Sequence, residues 1–344
     1  MLRGAIIGLG NVGREVHVPA WARCGDVAIV AANDSDPARR PLAAASLPGA
    51  RWYESAQDLL GRERLDFVDV CTPPASHGPL VCQALERGLH VFCEKPLVIS
   101  REELDRVTTL ADQTRRVVHT VHNWHHAPII KRASALVREG ALGRLTRVAW
   151  RTLRTQPAAA AGNGNGNNWR LDPALAGGGV LTDHGWHAFY LLTGWIGDTP
   201  TAVSARLERR GSQTLTVEDT ATVSVSFPDA AAEIFLTWAA DRRENVADLV
   251  GSAGRIELRG ETLTLERDGR VERWSCPPSL SNGSVHPDWF DPEIAQFLDA
   301  VTHTPPQSNL GEAWLCGVLE SAARESSRRG GQPVAVPARP LSMA

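Results

Sequence analysis

Short apolar runs alternate with amphipathic stretches along the first 120 residues of the chain. The apolar runs predict strands at residues 5–7, 27–31, 67–70, 90–92 and 117–121. The stretches between them predict helices at residues 12–23, 37–46, 76–88 and 101–115. Repeated strand–helix units favour a parallel sheet with right-handed crossovers. The pattern therefore predicts an α/β domain with a doubly wound parallel sheet, residues 1–122.

The pattern changes after residue 123. It predicts a helix at 127–139, a strand at 144–154, a Gly/Asn-rich loop at 162–168 and a helix near 183–193. Closely spaced strands follow at 220–227, 232–238, 247–250, 255–258 and 262–266, and helices near 291–301 and 311–328 close the chain. We therefore predict a second domain, residues 123–344, of α+β class with a large, mainly antiparallel sheet. Its last segment is free to pack back on the first domain.

The composition fits a soluble globular protein and excludes several functional classes. The 344 residues are 43% hydrophobic and 22% charged, with a formal net charge of −3, which does not indicate a nucleic-acid partner. No apolar run reaches the roughly 18 residues of a membrane span, and the N-terminus lacks the layout of a signal peptide. The six cysteines, with no Cys-x-x-Cys pair, indicate reduced thiols. We expect a cytoplasmic protein without a membrane partner.

The first predicted strand leads into a glycine motif. Gly8-Leu9-Gly10-Asn11-Val12-Gly13 matches G-x-G-x-x-G, in which the glycines permit a tight turn, close approach of a diphosphate, and helix–strand packing. Asp34, at the end of the next strand, can accept hydrogen bonds from ribose hydroxyls. The alternative is that Asp34 has a structural role only, in the turn after the strand. The sequence thus predicts a dinucleotide site that prefers NAD. NADP stays open because Arg39 and Arg40 could reach a 2′-phosphate.

Two further strands end in segments suited to ligand binding. Thr72-Pro73 and the residues up to His77 follow the strand at 67–70, and Glu94-Lys95-Pro96 follows the strand at 90–92. In open α/β sheets, ligands bind at the carboxyl ends of the strands. The alternative is that the prolines in both segments only form the turns that follow the strands. Lys95 is one of two lysines among 36 basic residues, and lysine, unlike arginine, can lose its proton. We predict that Lys95 is functional and that Glu94 orients it.

A glycine run precedes an acid–histidine pair in the second half of the chain. Gly177-Gly178-Gly179 leads to Asp183 and His187, which are four residues apart and would share one face of a helix. The carboxylate could then orient the imidazole, and a histidine of near-neutral pKa is a natural general base for an alcohol. The alternative is an ordinary helix-capping pair.

Together these motifs resemble the glucose–fructose oxidoreductase/inositol dehydrogenase/rhizopine catabolism (Gfo/Idh/MocA) family over nearly the whole chain. The resemblance implies a Rossmann domain followed by an α+β domain with an open antiparallel sheet. Because that sheet often forms an oligomer face in the family, a homodimer or homotetramer is expected. The implied activity is NAD(P)-linked oxidation or reduction of a sugar, sugar derivative or cyclitol.

The resemblance also implies roles for single residues. Lys95 would contact the reacting hydroxyl and the nicotinamide ribose, Asp183 would position the substrate and the imidazole, and His187 would exchange the hydroxyl proton. With the motifs above, the predicted cofactor contacts are Gly8, Gly10, Asn11, Val12, Gly13, Asp34, Thr72, Pro73, His77, Glu94 and Lys95. The predicted substrate contacts are Lys95, Asn123, His125, Trp169, Arg170, Asp183, His184 and His187.

Two other functions stay open. An enzyme of this kind can keep NAD tightly bound and oxidise its substrate only transiently, to enable elimination or glycoside cleavage. A non-catalytic NAD(P)-binding regulator is also possible, although it would need no acid–base set. Four histidines crowd residues 119–126, but their spacing does not place them on one face and no carboxylate cluster joins them, so we predict no metal site.

Overall fold

The computed structural model describes residues 1–159, 168–211, 214–283, 285–302 and 309–338. The strands of its first sheet are β1 (Leu2–Ile7), β2 (Val27–Asn33), β3 (Arg51–Tyr53), β4 (Phe67–Val70), β5 (His90–Cys93) and β6 (Val118–Thr120). Within the described residues this sheet is six-stranded and parallel, in the order β3-β2-β1-β4-β5-β6. The helices between its strands are α1 (Val18–Arg23), α2 (Arg40–Ser46), α3 (Ala56–Arg62), α4 (His77–Glu86) and α5 (Arg101–Thr114).

This strand order confirms the predicted doubly wound sheet and places the ligand edge. The order reverses at β1 and β4, so the segments that follow these two strands open a crevice at the carboxyl edge of the sheet. Helices cover both faces, which is why every residue of β4 and β5 is buried. The sequence pattern missed β3 and α3, which are only three and seven residues long.

The second sheet contains β7 (Leu145–Leu153), β8 (Ala202–Glu208), β9 (Thr220–Ser226), β10 (Ala231–Thr237), β11 (Glu244–Gly251), β12 (Gly254–Arg259), β13 (Thr262–Arg267), β14 (Arg270–Ser275) and β15 (Val334–Ala335). In the described part of the chain its order is β14-β13-β12-β11-β7-β10-β9-β8-β15. Neighbouring strands are antiparallel except for the parallel pair β7 and β10. The predicted open, mainly antiparallel sheet is therefore confirmed.

The helices of the second half are α6 (Pro128–Arg138), α7 (Pro173–Ala176), α8 (Trp186–Ile196), α9 (Phe290–Thr302) and α10 (Leu310–Arg328). Of these, α6, α8 and α10 contact the second sheet, while α9 contacts α1 and α10 also contacts α5 of the first domain. All but two residues of α8 are buried, as expected for a helix without a polar face. Phe297 of α9 packs against Trp21, Phe67 and Phe92 of the first domain. The C-terminal segment thus contributes to the core beneath the first sheet.

Two predicted helices begin with a π-helical turn. The helix predicted at 12–23 consists of such a turn at Gly13–His17 followed by α1, and the helix predicted near 183–193 has one at Leu181–Gly185 before α8. The loop predicted at 162–168 lies, apart from Asn168, outside the described residues. Among the described helices, none combines the length and the apolar character that a bilayer crossing needs.

Candidate active site

A cavity of about 1050 Å³ runs along the carboxyl edge of the first sheet. From the first domain it is lined by the glycine motif, Asp34, residues 72–76, Glu94 and Lys95. From the second half of the chain it is lined by Asn123, Trp124, Arg154, Trp169, Arg170, Asp183, His184, His187, Trp238, Arg243 and His286. The structure therefore brings most of the predicted cofactor and substrate contacts to one continuous space.

The glycine motif has the steric features that a diphosphate requires. A Cβ on Gly13 would lie 2.4 Å from the carbonyl oxygen of Gly8, so the third glycine permits the close contact between strand and helix. Gly8 has a φ of +99°, which a side chain would strain. A Cβ on Gly10 would meet no protein atom within 4 Å, so its backbone faces open space in the cavity.

Asp34 supports the glycine loop and also lines the cavity. Its carboxylate accepts a hydrogen bond from the amide of Leu9 at 2.6 Å and another from the amide of Asp36 at 2.9 Å. Arg39 lies 3.5 Å from Asp36 and also lines the cavity, whereas the side chain of Arg40 is two-thirds exposed and does not. Both roles considered for Asp34, turn and ligand contact, are thus sterically compatible.

Lys95 reaches across the cavity to Asp183. Its Nζ donates to the carbonyl oxygen of Asp183 at 2.8 Å and lies 3.5 Å from Oδ1 of the same residue. Glu94 accepts a hydrogen bond from the backbone amide of Lys95 at 3.0 Å and lies 3.2 Å from the ring of His17. Glu94 therefore braces the main chain at Lys95 and leaves the ammonium group to face Asp183.

Asp183 is the hub of a charged cluster. Lys95, Arg170 and His184 all lie 3.5–3.7 Å from its carboxylate oxygens. Burial alone would raise the pKa of Asp183, but the ring of His184 and the two cations outweigh it and hold that pKa well below its usual range. Asp183 is therefore ionised at neutral pH.

His187 is held by groups other than the predicted one. Its ring stacks on Trp124 at a centroid distance of 4.1 Å, and a hydrogen bond of 2.8 Å joins its Nδ1 to the hydroxyl of Tyr190. Burial, and then the charge of Lys95, lower the pKa of His187 well below 6.5, so the ring is neutral at pH 7. It can therefore accept a proton.

The predicted pairing of Asp183 with His187 is wrong. Among the described residues no hydrogen bond or ion pair joins the two side chains. The π-helical turn Leu181–Gly185 contains Asp183, and α8 begins only at Trp186. Both side chains still line the cavity, and the charge of each affects the pKa of the other, so the spacing predicted that they are near but not that they touch.

Three predicted ligand contacts, Gly13, His77 and His125, lie outside the cavity wall. The place of Gly13 is fixed by its close contact with Gly8. His77 is buried, and its ring nitrogens each lie 2.7 Å from a carbonyl oxygen, one of Pro96 and one of Thr72. It therefore ties together two segments that line the cavity. His125 points to Glu312, with Nε2 and Oε1 3.0 Å apart, and is absent from the cavity wall.

The crowded histidines do meet carboxylates, contrary to the sequence analysis. Glu293 lies 2.9 Å from His119 and 3.5 Å from His126, while Glu312 faces both His122 and His125. Trp186 donates to Nε2 of His122 at 2.9 Å, so the proton of a neutral His122 ring lies on Nδ1, toward Glu312. Both glutamates lie on C-terminal helices. They are separated from these histidines by about 170–190 residues in the sequence, so no local pattern could predict the contacts.

Sequence reasoning missed two groups of residues at the site. Beneath the glycine loop, His17 lies 2.9 Å from Asp69, which also accepts a 2.6 Å hydrogen bond from Trp21. An acid inside the otherwise apolar strand β4 was a signal for this cluster. The second group is Arg154, Trp238, Arg243 and His286, which line the cavity from the second sheet and the loop after it. No motif marks these four.

Comparisons with known proteins cover both halves of the chain. Residues 2–122 match the family model "Oxidoreductase family, NAD-binding Rossmann fold", and residues 130–257 match "GFO/IDH/MocA C-terminal domain". D-apiose dehydrogenase from Paraburkholderia graminis is 26% identical over 82% of this chain and 75% of its own length. GenD2 from gentamicin A biosynthesis, solved with NAD, is 26% identical with a TM-score of 0.81, over 98% of this chain and 97% of that chain. Levoglucosan dehydrogenase, solved with NADH and levoglucosan, shares the fold with a TM-score of 0.83 at 20% identity. The match covers 98% of this chain and 99% of that chain.

Proposed function

The chain belongs to the Gfo/Idh/MocA family of oxidoreductases with an NAD-binding Rossmann fold, and from this premise we propose that it is a dehydrogenase or reductase of a sugar, sugar derivative or cyclitol. It would move a hydride between nicotinamide and a secondary hydroxyl or ketone. The observation that carries the proposal is the convergence of Lys95, Asp183 and His187 on the cavity that the glycine loop also lines.

The residues present fit NAD, which when bound supplies the hydride acceptor or donor. The open backbone at Gly10 and the free N–H groups at the start of the following helix would hold the diphosphate. Asp34 would face the adenosine ribose, and its negative charge disfavours a 2′-phosphate. Arg39 on the same wall leaves NADP as the second possibility.

Lys95 would stabilise the negative charge that develops on the substrate oxygen. Its ammonium group lies near two oxygens of Asp183, and the whole side chain is only 16% exposed, so the charge acts in a poorly solvated space. Preorganised charge of this kind commonly contributes about 10²–10³-fold to a rate. Asp183 would therefore position Lys95 rather than the imidazole.

His187 would act as the general base for oxidation and the acid for reduction. In the tautomer whose Nδ1–H donates to the Tyr190 hydroxyl, Nε2 is free to take the proton of the substrate hydroxyl. The stack on Trp124 fixes the plane of the ring, so the base needs no reorientation during the reaction. General-base catalysis of this type contributes about 10²–10⁴-fold.

The test is an assay of the purified protein with NAD or NADP and a panel of sugars and cyclitols, followed at 340 nm, with mass spectrometry of nucleotide released by denaturation. Reduction of added NAD by a panel member is the expected result. If the protein instead holds NAD tightly and converts a substrate without net reduction of NAD, the transient-oxidation alternative is favoured. Nucleotide binding without any catalysed change would favour a regulator.

Replacing Gly10 with Ala should weaken NAD binding about tenfold or more without lowering Tm, because the added methyl group meets no protein atom and occupies the path of the diphosphate. Calorimetric titration with NAD and a thermal melt measure the two effects. Gly25→Ala is the matched control, since its Cβ also meets nothing within 4 Å but lies in the turn before β2. Unchanged affinity in Gly10→Ala would place the diphosphate elsewhere.

The cytoplasmic location and the homodimer or homotetramer stay predictions. All six cysteine thiols are free, and the outer face of the second sheet carries ion pairs such as Arg147–Glu233. An oligomer formed through that face would have to accommodate these charges.

A further inference from the structure

One part of the cavity wall is rich in cations and donors that the proposed mechanism does not use. Arg154 directly follows β7, Trp238 follows β10 and Arg243 precedes β11. These three strands are neighbours, with β7 in the middle. Leu153 pairs with Thr237 on one side and with Glu244 on the other. Arg154 therefore lies between Trp238 and Arg243, where these three central strands begin or end.

Two donors in this cluster are buried without an acceptor among the described residues. Arg154 is 2% exposed, and its Nη1 donates to the carbonyl oxygens of Leu153 and Glu244 and to Oδ1 of Asn245. Its Nε, however, has no hydrogen-bond partner among the described residues. The same holds for Nε1 of Trp238, a group that can only donate. A buried donor without an acceptor is costly, and a ligand in the cavity could satisfy it.

The charge of this region is also unbalanced. Lys95, Arg154, Arg170 and Arg243 line the cavity here, whereas Asp183 is the carboxylate that the second half of the chain contributes to the wall. Lys95 and Arg170 both lie against Asp183. No ion pair joins Arg154 or Arg243 to any described carboxylate, and Arg243 donates instead to the carbonyl oxygens of Ser281 and Gly283.

The charge of Asp183 acts on both arginines without forming an ion pair with either, and the two arginines repel each other. Burial, and then the charge of Arg243, lower the pKa of Arg154 to about 10. At neutral pH both guanidinium groups remain charged. His286, which stacks on Trp289 and has an unpartnered Nε2, lies on the same wall near Arg243. The repulsion between Arg154 and Arg243 would be relieved by an anion between them, whereas neutral hydroxyl groups would satisfy the donors but not the charge.

We propose that Arg154, Arg243 and Trp238 bind an oxyanion carried by the substrate, so that the substrate is a sugar carboxylate or sugar phosphate and not a neutral sugar. This inference rests on the proposed function. A guanidinium fork binds carboxylate and phosphate oxygens in pairs, and the indole N–H can donate to another oxygen. The anionic group would fix the sugar while its reacting hydroxyl lies at Lys95 and His187.

The test compares matched ligands on the wild-type protein loaded with NAD. Glucose, glucuronate and glucose 1-phosphate are titrated by calorimetry, which needs no turnover, and each is also assayed at 340 nm. We expect glucuronate or glucose 1-phosphate to bind at least about tenfold more tightly than glucose. Whichever of the two acids binds more tightly identifies the anionic group as carboxylate or phosphate. Equal or tighter binding of glucose, or no binding of either anion, would overturn the proposal.

Variants separate this proposal from the proposed function. Arg243 is exposed, so Arg243→Gln should not disturb the core; it should weaken binding of the acidic ligand about tenfold and leave NAD affinity unchanged. Arg242→Gln is the matched control, because Arg242 pairs with Asp241 and Glu244 away from the cavity wall. If only neutral sugars are turned over, the anion-binding proposal is wrong but the proposed dehydrogenase function stands. A loss of NAD affinity in Arg243→Gln would instead assign the arginine to the cofactor diphosphate and overturn it.

Discussion

Lys95→Met is expected to lower kcat by about 10²–10⁴-fold while the protein still binds NAD. The methionine keeps much of the volume of the lysine stem but removes the charge that faces the reacting oxygen. It also leaves the buried carboxylate of Asp183 with one cation fewer, since Arg170 lies at 3.7 Å. Steady-state kinetics at 340 nm and calorimetric titration with NAD measure the two quantities.

The chain offers a close control for this experiment. Lys131 is the other lysine and is exposed on α6, so Lys131→Met makes the same chemical change away from the cavity and should leave kcat unchanged. Lys95→Arg retains the positive charge with a different shape, and partial activity there would identify charge as the main contribution. Near-normal turnover of Lys95→Met would remove Lys95 from the mechanism.

His17→Gln should cost about 3–5 kcal/mol of stability at pH 6, because it removes the cation from beside the buried carboxylate of Asp69 and the partly buried carboxylate of Glu94. His17 is fully buried between Asp69, at 2.9 Å, and Glu94, at 3.2 Å. Burial lowers the pKa of His17, but Asp69 and then Glu94 outweigh it and raise that pKa to about 10. The ring is therefore an imidazolium at neutral pH.

The pH dependence follows from the direction of this shift. The folded pKa of His17, about 10, lies above the ordinary value of 6.5, so its contribution to stability is complete below pH 6.5. The contribution is lost as the pH rises from 6.5 toward 10. Urea unfolding at pH 6 and pH 9.5 should therefore show that most of the penalty of His17→Gln has disappeared at the higher pH.

A second buried histidine provides the control for this effect. Burial, and then Arg116, lower the pKa of His90 to about 4, so its ring is neutral at both pH values. In the unfolded chain His90 is still largely protonated at pH 6, so the penalty of His90→Gln should be slightly larger at pH 9.5 than at pH 6, opposite in sign to the effect at His17. If the penalty of His17→Gln failed to fall with rising pH, the role of His17 would be packing against Phe92 and Phe290 and not charge.

Local patterns in the sequence predicted much of the first domain and its ligand edge. β4 was predicted with its observed ends because a mostly apolar run of four residues is too short for a helix and has the length of a buried strand. The glycine motif, Glu94 and Lys95 were found because each lies next to a strand end. These predictions depend only on residues close together in the chain, which is the information a single sequence contains.

The same reasoning gave the wrong neighbour for two histidines. Asp183 and His187 have the spacing of a helical pair and line the same cavity, yet among the described residues no hydrogen bond or ion pair joins their side chains. His187 is held by Tyr190, three residues on, and by Trp124, which is distant in sequence. His77 has the right position along the chain, but its side chain turns inward to the carbonyl oxygens of Thr72 and Pro96.

By itself the sequence determined the two folds, the dinucleotide loop and the identity of Lys95, Asp183 and His187 as candidates. The tertiary structure alone decided which charges meet. His17 reaches Glu94 across 77 residues, and Arg154 lies beside Arg243 only because β7 and β11 pair. Electrostatic interactions depend on distance in space and on burial, and both are set by how the sheets and helices pack, which no pattern along a single chain records.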